Sequence, residues 1–285
     1  MIKNFSLDGW TCFSDRRNSK SYVSNDKKWM VKFFSEFTNS NLETLEKEKE
    51  ISEKALKIGV KTPKVGEIVE LSDGQHGLIY EYIEGKKSIA RAAGEDPEHI
   101  EEYMKRFAKI AKQVHTKVCD VHDFVSREQI VRDEIEKRDI LNESQKQKAY
   151  RLLDTIEKKN TCLHGDFQHG NFIITNTDEY AIDLGGIAYG NPIYDVACFY
   201  FFLHFFPKNI PEMLFHTEEK YFRPLWRNFV KYYYEVSDEK EIDKISLDMR
   251  KYALVCFFGM LRLVEPGDEM KIIMDEHFDK EFKDF

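Results

Sequence analysis

Along the first third of the chain, apolar residues fall in short runs separated by turn-forming and polar residues, the pattern of β-strands. Asp8 to Ser14 and Ser21 to Ser24 flank the polar segment Asp15-Arg16-Arg17-Asn18-Ser19-Lys20. Trp29-Met30-Val31-Lys32-Phe33-Phe34 follows a turn at Asn25-Asp26. A charged helix is predicted from about Asn41 to Ile58, with Asn41 as cap, Gly59 as stop and Pro63 barring continuation. Lys64 to Glu70 and Gly77 to Ile83 read as two more strands about the turn Ser72-Asp73-Gly74.

Beyond this point the apolar period changes to that of a helix. Pro97 opens a pattern reaching about Lys117, with Ile100, Met104, Phe107, Ile110, Ala111 and Val114 on one face. A further helix is predicted over Ser144 to Lys158. The stretch Thr161 to Asp183 interrupts the pattern with two short apolar strands around a polar loop, and helices dense in Phe and Tyr resume from Asp195. The prediction is an α+β chain, with a small antiparallel sheet lobe over residues 1–83 and a larger helical lobe over 84–285. Ligands favour the crevice between such lobes.

Length and composition narrow the functional classes. At 285 residues two units are expected, and 42% apolar with 14% aromatic residues is enough for a sizeable core. The net charge of -8 argues against a nucleic-acid partner and is compatible with a cationic small molecule. Cys12, Cys119, Cys162, Cys198 and Cys256 are widely spaced with no C-x-x-C pair, which reads as reduced thiols of a cytoplasmic protein. The amino terminus lacks the apolar run of a signal peptide. The most apolar stretch, Ile193 to Phe206, contains Asp195 and His204 and is too short to span a bilayer, so no membrane partner is expected. Oligomeric state is not legible.

The candidate chemistry lies in Leu163-His164-Gly165-Asp166-Phe167-Gln168-His169-Gly170-Asn171-Phe172-Ile173-Ile174 and, further on, Ala181-Ile182-Asp183-Leu184-Gly185. Phosphoryl transfer needs a carboxylate to orient the acceptor hydroxyl and oxygen ligands to hold Mg²⁺ against phosphates. Asp166 suits the first role; Asn171 and Asp183 suit the second. The alternative is a hairpin whose Asp and Asn cap turns.

This stretch resembles the phosphotransferase motif of the aminoglycoside phosphotransferase and choline kinase superfamily, small-molecule relatives of the protein kinases. Gly190-Asn191-Pro192-Ile193-Tyr194-Asp195-Val196-Ala197 is similar to that family's G-D-P-x-x-D-L-A signature, with Asn191 in place of the usual Asp. The resemblance covers about residues 10 to 205 and implies a bilobal protein-kinase-like fold binding ATP or GTP with Mg²⁺. It implies that Asp195 anchors the active-site loop, and that Lys32 contacts the nucleotide phosphates with Glu48 as its partner. Glu46 and Glu50 compete for that place. Gly77 to Gly85 resembles the family's last strand and hinge, implying backbone contacts to the base near Glu81 to Ile83. His115 matches the histidine at the end of a family helix, and His164 is expected to brace the catalytic loop.

The departure is the phosphate-covering loop. Ser14 to Lys20 contains no Gly, whose freedom would let backbone amides close on phosphate. Asn18 and Ser19 are the remaining candidate donors there, with Arg16 and Arg17. Residues beyond 205 carry no recognisable motif; in the family that region shapes the acceptor pocket. Glu265, Asp268 and Glu269 could attract an amine or lie on the surface, and Trp226, Tyr232 to Tyr234 and Phe258 could stack on an acceptor or fill the core. Three classes compete: a small-molecule kinase, a nucleotide-binding pseudokinase without turnover, and a protein kinase. Lys32, Asp166, Asn171 and Asp183 together favour the first over the second. The short span from Asp183 to Gly190 leaves no peptide-docking segment and disfavours the third.

Overall fold

The computed structural model describes residues 3–16, 19–34, 42–263 and 267–285, with Lys3, Asp15, Arg16, Ser19 and Phe34 described at the backbone only. The chain forms two compact units. One is built from the residues up to Lys86 together with a return segment, Thr175–Gly185; the other comprises Lys87–Ile174 and Gly186–Phe285. The domain boundary expected after Ile83 carried no sign of that return segment.

The first unit carries β1 (Lys3–Asn4), β2 (Trp10–Arg16), β3 (Ser19–Ser24), β4 (Trp29–Phe34), α1 (Leu42–Lys57), β5 (Val65–Glu70) and β6 (His76–Glu81). Its six-stranded sheet runs β1-β5-β6-β4-β3-β2. Every neighbour pair is antiparallel except β1, which lies parallel to β5 and was not expected from so short a segment. The period-2 alternation along β4 buries Val31 and Phe33 with Val69, against Phe5, Trp10, Tyr22 and Ile79. Phe33 lies opposite Gly77 on β6, where a Cβ would come within 2.6 Å of its ring, so only glycine fits. Gly59, at φ +85°, ends α1, and the Val60 N–H reaches back 3.0 Å to the Ala55 carbonyl. The expected cap Asn41 lies outside the described residues.

The second unit begins with β7 (Lys87–Ser88), α2 (Ile89–Glu95), α3 (Ile100–His115), α4 (Arg127–Lys137), α5 (Glu143–Asp154), β8 (Thr161–Leu163) and β9 (Phe172–Ile174). The return segment holds β10 (Glu179–Ala181). There follow β11 (Ala188–Gly190), α6 (Ile193–His204), α7 (Asn209–Phe215), α8 (Phe222–Tyr233), α9 (Glu239–Cys256) and α10 (Asp268–Glu281). β7 pairs antiparallel with β9, and β8 with β11. Phe107 of α3 centres the core, with its ring 4.9–5.2 Å from those of Phe167, Phe172, Phe199 and Phe229. Tyr194 to Leu203 are all buried, which accounts for a helix apolar on every side. Among the described residues no helix is long and apolar enough to cross a membrane.

Several elements depart from the sequence expectation. Pro97 opens a short 3₁₀ turn, Pro97–His99, and α3 starts only at Ile100. α5 begins at Glu143, capped by a reciprocal Asn142–Gln145 pair, and stops at Asp154. α2 and α4 were not anticipated. Three short strands, not two, occupy Thr161 to Asp183, and Asp183 lies past the end of β10, not within a strand.

Candidate active site

On β4 the alternation that buries Val31 and Phe33 turns Met30 and Lys32 to the other face, where both line a pocket of about 270 Å³ within the first unit. Lys32 Nζ lies 3.7 Å from Asp183 Oδ1. Asp183 adopts φ +56°, a left-handed conformation that a non-glycine residue takes at a cost and that recurs at functional sites. Glu48, half-buried on α1, enters the same pocket and accepts a hydrogen bond from the Tyr80 hydroxyl. Burial raises its carboxyl above the usual value, against the opposing pull of the Tyr80 bond and the Lys32 charge. Glu46 and Glu50 are exposed, and Glu50 pairs with Lys54 at 2.7 Å.

The hinge candidates sit at the end of β6. The N–H of Glu81 donates to the Lys64 carbonyl and that of Tyr82 to the Lys28 carbonyl, both at 2.8 Å. Among the described residues this leaves the Ile83 amide as the donor of the stretch not committed to the protein. Of the phosphate-loop candidates, Asn18 and Arg17 lie outside the described residues. Ser19 and Arg16 pair with each other as the backbone ends of β3 and β2.

In the second unit, β8 delivers the chain into His164-Gly165-Asp166. Asp195, in the first turn of α6, is fully buried and receives the backbone N–H groups of His164 at 2.6 Å and Gly165 at 3.0 Å. The third contact of this carboxylate is His115 Nε2 at 3.1 Å, and the other ring nitrogen of His115 meets the Tyr233 hydroxyl at 2.6 Å. Burial alone would raise the Asp195 carboxyl, but the His115 hydrogen bond and the nearby positive charge overcome it and hold the group below its ordinary value. Gly165 sits at φ +80°, and a Cβ there would come within 1.7 Å of the Gly186 carbonyl oxygen.

Asp166 is half-buried on this pinned loop. Its N–H donates to His164 Nδ1 at 3.3 Å, so the buried His164 ring does brace the turn. Asn171 donates Nδ2 to the Asp166 carboxylate at 2.7 Å and to its carbonyl at 2.9 Å. That fixes the carboxylate and leaves Asn171 Oδ1 as its metal-type atom. Among the described residues no group of three or more His, Cys, Asp or Glu could hold a metal by itself. The carboxylate of Asp183, in the first unit, and the amide oxygen of Asn171, in the second, are each hard donors of the kind Mg²⁺ takes, an ion that needs few protein ligands and fills its shell with phosphate and water.

Trp226 and Phe258 are buried, Trp226 donating to Ser246 at 2.8 Å, so both belong to the core. Asp268 and Glu269 are exposed on α10, and Glu265 lies outside the described residues. Sequence reasoning missed Tyr80 and Lys86, and it named Tyr233 only for stacking or core packing, not as the partner of His115. Only the position of Tyr80 just before the hinge residues, or of Lys86 just after them, could have drawn attention.

A mostly antiparallel sheet bearing Lys32 and a helical unit bearing the Asp166–Asn171 loop define a protein-kinase-like phosphotransferase. The chain belongs to the phosphotransferase enzyme family APH, whose profile matches residues 13–229. It is therefore a kinase of small molecules, with an alcohol group as acceptor. Among solved structures it is similar to a thermostable mutant of aminoglycoside phosphotransferase APH(4)-Ia in ternary complex with AMP-PNP and hygromycin B (TM-score 0.62, 11% identity, 96% of this chain and 93% of that one). It is also similar to choline kinase LicA from Streptococcus pneumoniae (TM-score 0.52, 18% identity, 96% and 92%). A third is the GDP complex of an aminoglycoside 2'-phosphotransferase-IIIa mutant (TM-score 0.52, 15% identity, 98% and 93%). No curated protein matches it in sequence.

Proposed function

We propose that this enzyme transfers the γ-phosphoryl group of ATP or GTP to a hydroxyl of a small, amine-bearing acceptor such as an aminoglycoside or choline. The observation that carries this reading is the Asp166 carboxylate, fixed by Asn171 Nδ2 at 2.7 Å on a loop whose backbone is pinned by Asp195. Asp166 accepts the proton of the acceptor hydroxyl as its oxygen bonds to the γ-phosphorus; the bond to the β–γ bridging oxygen breaks, and the nucleoside diphosphate leaves. Lys32 holds the phosphates, with Glu48 setting its position and Tyr80 in turn holding Glu48. Asn171 Oδ1 and Asp183 hold Mg²⁺, which when bound neutralises charge on the phosphate oxygens. The base is read by backbone at Glu81 to Ile83, and Asn18 and Ser19 donate to phosphate. The adenine and guanine nucleotides in the complexes named above leave both bases in play, and the net charge of -8 is compatible with a cationic acceptor.

The test is nucleotide consumption by the purified protein with Mg²⁺, using ATP and GTP separately, against aminoglycosides, choline, ethanolamine, amino alcohols, sugars and nucleosides. Acceptor-dependent release of nucleoside diphosphate is expected with at least one amine-bearing compound. Nucleotide binding without turnover on any of them would instead make the chain a nucleotide-binding pseudokinase.

A further inference from the structure

Lys86 follows Gly85, which sits at φ +70°, and its side chain turns back into the pocket that holds Lys32 and Asp183. Its ammonium lies 3.5 Å from Met30 Sδ, 5.5 Å from the Tyr82 ring centre and 5.9 Å from that of Phe13. Among the described residues no carboxylate is bonded to it. Two aromatic faces and a thioether offset part of an ammonium's desolvation but carry no formal charge. Burial accordingly pushes this lysine below its ordinary value, with the Asp183 charge opposing and the Lys32 charge adding to the effect. A half-buried cation with no carboxylate bonded to it among the described residues, in a pocket with a second cation, is matched by a polyanion entering that pocket. Phe13 lies on β2 at the approach to the Gly-free segment Ser14 to Lys20, where a glycine-rich turn would otherwise bring backbone donors to phosphate.

We propose that Lys86 is a second phosphate-binding cation of the nucleotide pocket, acting beside Lys32. The proposal rests on the kinase reading above and adds to it a residue after the hinge. It requires the contribution of Lys86 to follow the number of phosphates and to ignore the base.

The experiment is calorimetric binding of adenosine, AMP, ADP, ATP and GTP to wild type, Lys86→Met and Lys86→Arg, with circular dichroism to establish that each variant is folded. Lys86→Met keeps the length and apolar stem and removes the charge. It is expected to leave adenosine binding unchanged and weaken ATP and GTP alike by about tenfold to a hundredfold, the worth of a charge-assisted hydrogen bond. ADP should fall in between, and Lys86→Arg should retain most of the wild-type affinity. Equal weakening of adenosine and ATP would show that Lys86 only packs the pocket, and a loss confined to one base would show that it reads the base. Either result overturns the proposal while leaving the kinase reading intact. If no nucleotide binds the folded wild-type protein, both fall together.

Discussion

Replacing Asp166 with Asn keeps the side chain's shape while removing its ability to accept a proton. The Asp166→Asn variant should lose about 10²–10⁴-fold in turnover, the usual worth of a general base, with nucleotide affinity little changed because the proposed mechanism gives the phosphates to Lys32. Full turnover in that variant, once an acceptor is known, would refute the assignment. One position earlier, Gly165→Ala meets two independent obstacles: a φ of +80° and a Gly186 carbonyl oxygen within 1.7 Å of the new Cβ. We expect it to cost more than about 2 kcal/mol in urea-unfolding stability, since backbone cannot swing aside as a flexible side chain does. Unchanged stability would mean that the close approach of the two glycines is not maintained in solution. That Asp166, Asn171 and Asp183 form a candidate set was legible in the sequence, because the proposed chemistry asks for particular residue types at short spacing. The Tyr80–Glu48 and Tyr233–His115 bonds were not, because each joins residues far apart in the chain through side-chain reach that no local pattern encodes.

The elements legible in advance were those with a strong period or strong punctuation. β4 has alternation, α1 has Gly59 and Pro63 at its end, and α3 has a continuous apolar stripe from Ile100 to Val114. α2 was illegible because its interior Gly94 reads as a breaker; a Cβ there would lie 2.0 Å from the His216 carbonyl, so close packing explains the glycine. α4 buries the charged residues Arg127 and Glu134 along with Ile130, Val131 and Ile135, which breaks the expected amphipathic stripe. The register of α1 gives a prediction at this scale. Its glutamates at 46, 48 and 50 look alike in sequence, yet only Glu48 lines the pocket. Glu48→Gln should reduce kcat/KM for nucleotide at least about tenfold while leaving Tm within a few degrees, because burial already disfavours the charged form. Glu46→Gln and Glu50→Gln should be neutral in both measurements. A comparable loss of activity in either exposed variant would place the helix in a different register.

Acid stability is set by groups spread over the whole second unit, and their signs can be worked out separately. His169 is fully buried among the rings of Phe107, Phe199 and Phe215, and neither ring nitrogen finds a hydrogen-bond partner among the described residues. Burial pushes it down to about 3, and burial with nearby positive charge pushes His204 down to about 4. The unfolded chain takes up these protons near the ordinary 6.5 whereas the folded chain does not, so stability must fall as pH drops below that value. For His169 the loss between pH 7 and pH 5 is about 2 kcal/mol. Asp195 also loses its contribution on acidification, but outside this window. Its carboxyl is held below 3.8, so the stability it contributes is intact at pH 5 and is lost only at lower pH. His99, raised by its hydrogen bond to Asp96, favours the folded state on acidification, but it is exposed and its pair is screened by solvent. The net expectation is a lower urea midpoint at pH 5 than at pH 7, with a smaller drop in His169→Leu, whose side chain suits the same aromatic surroundings and takes no proton. If the wild-type midpoint does not move between the two pH values, or if His169→Leu shows the full wild-type drop, then His169 is not buried in its neutral form.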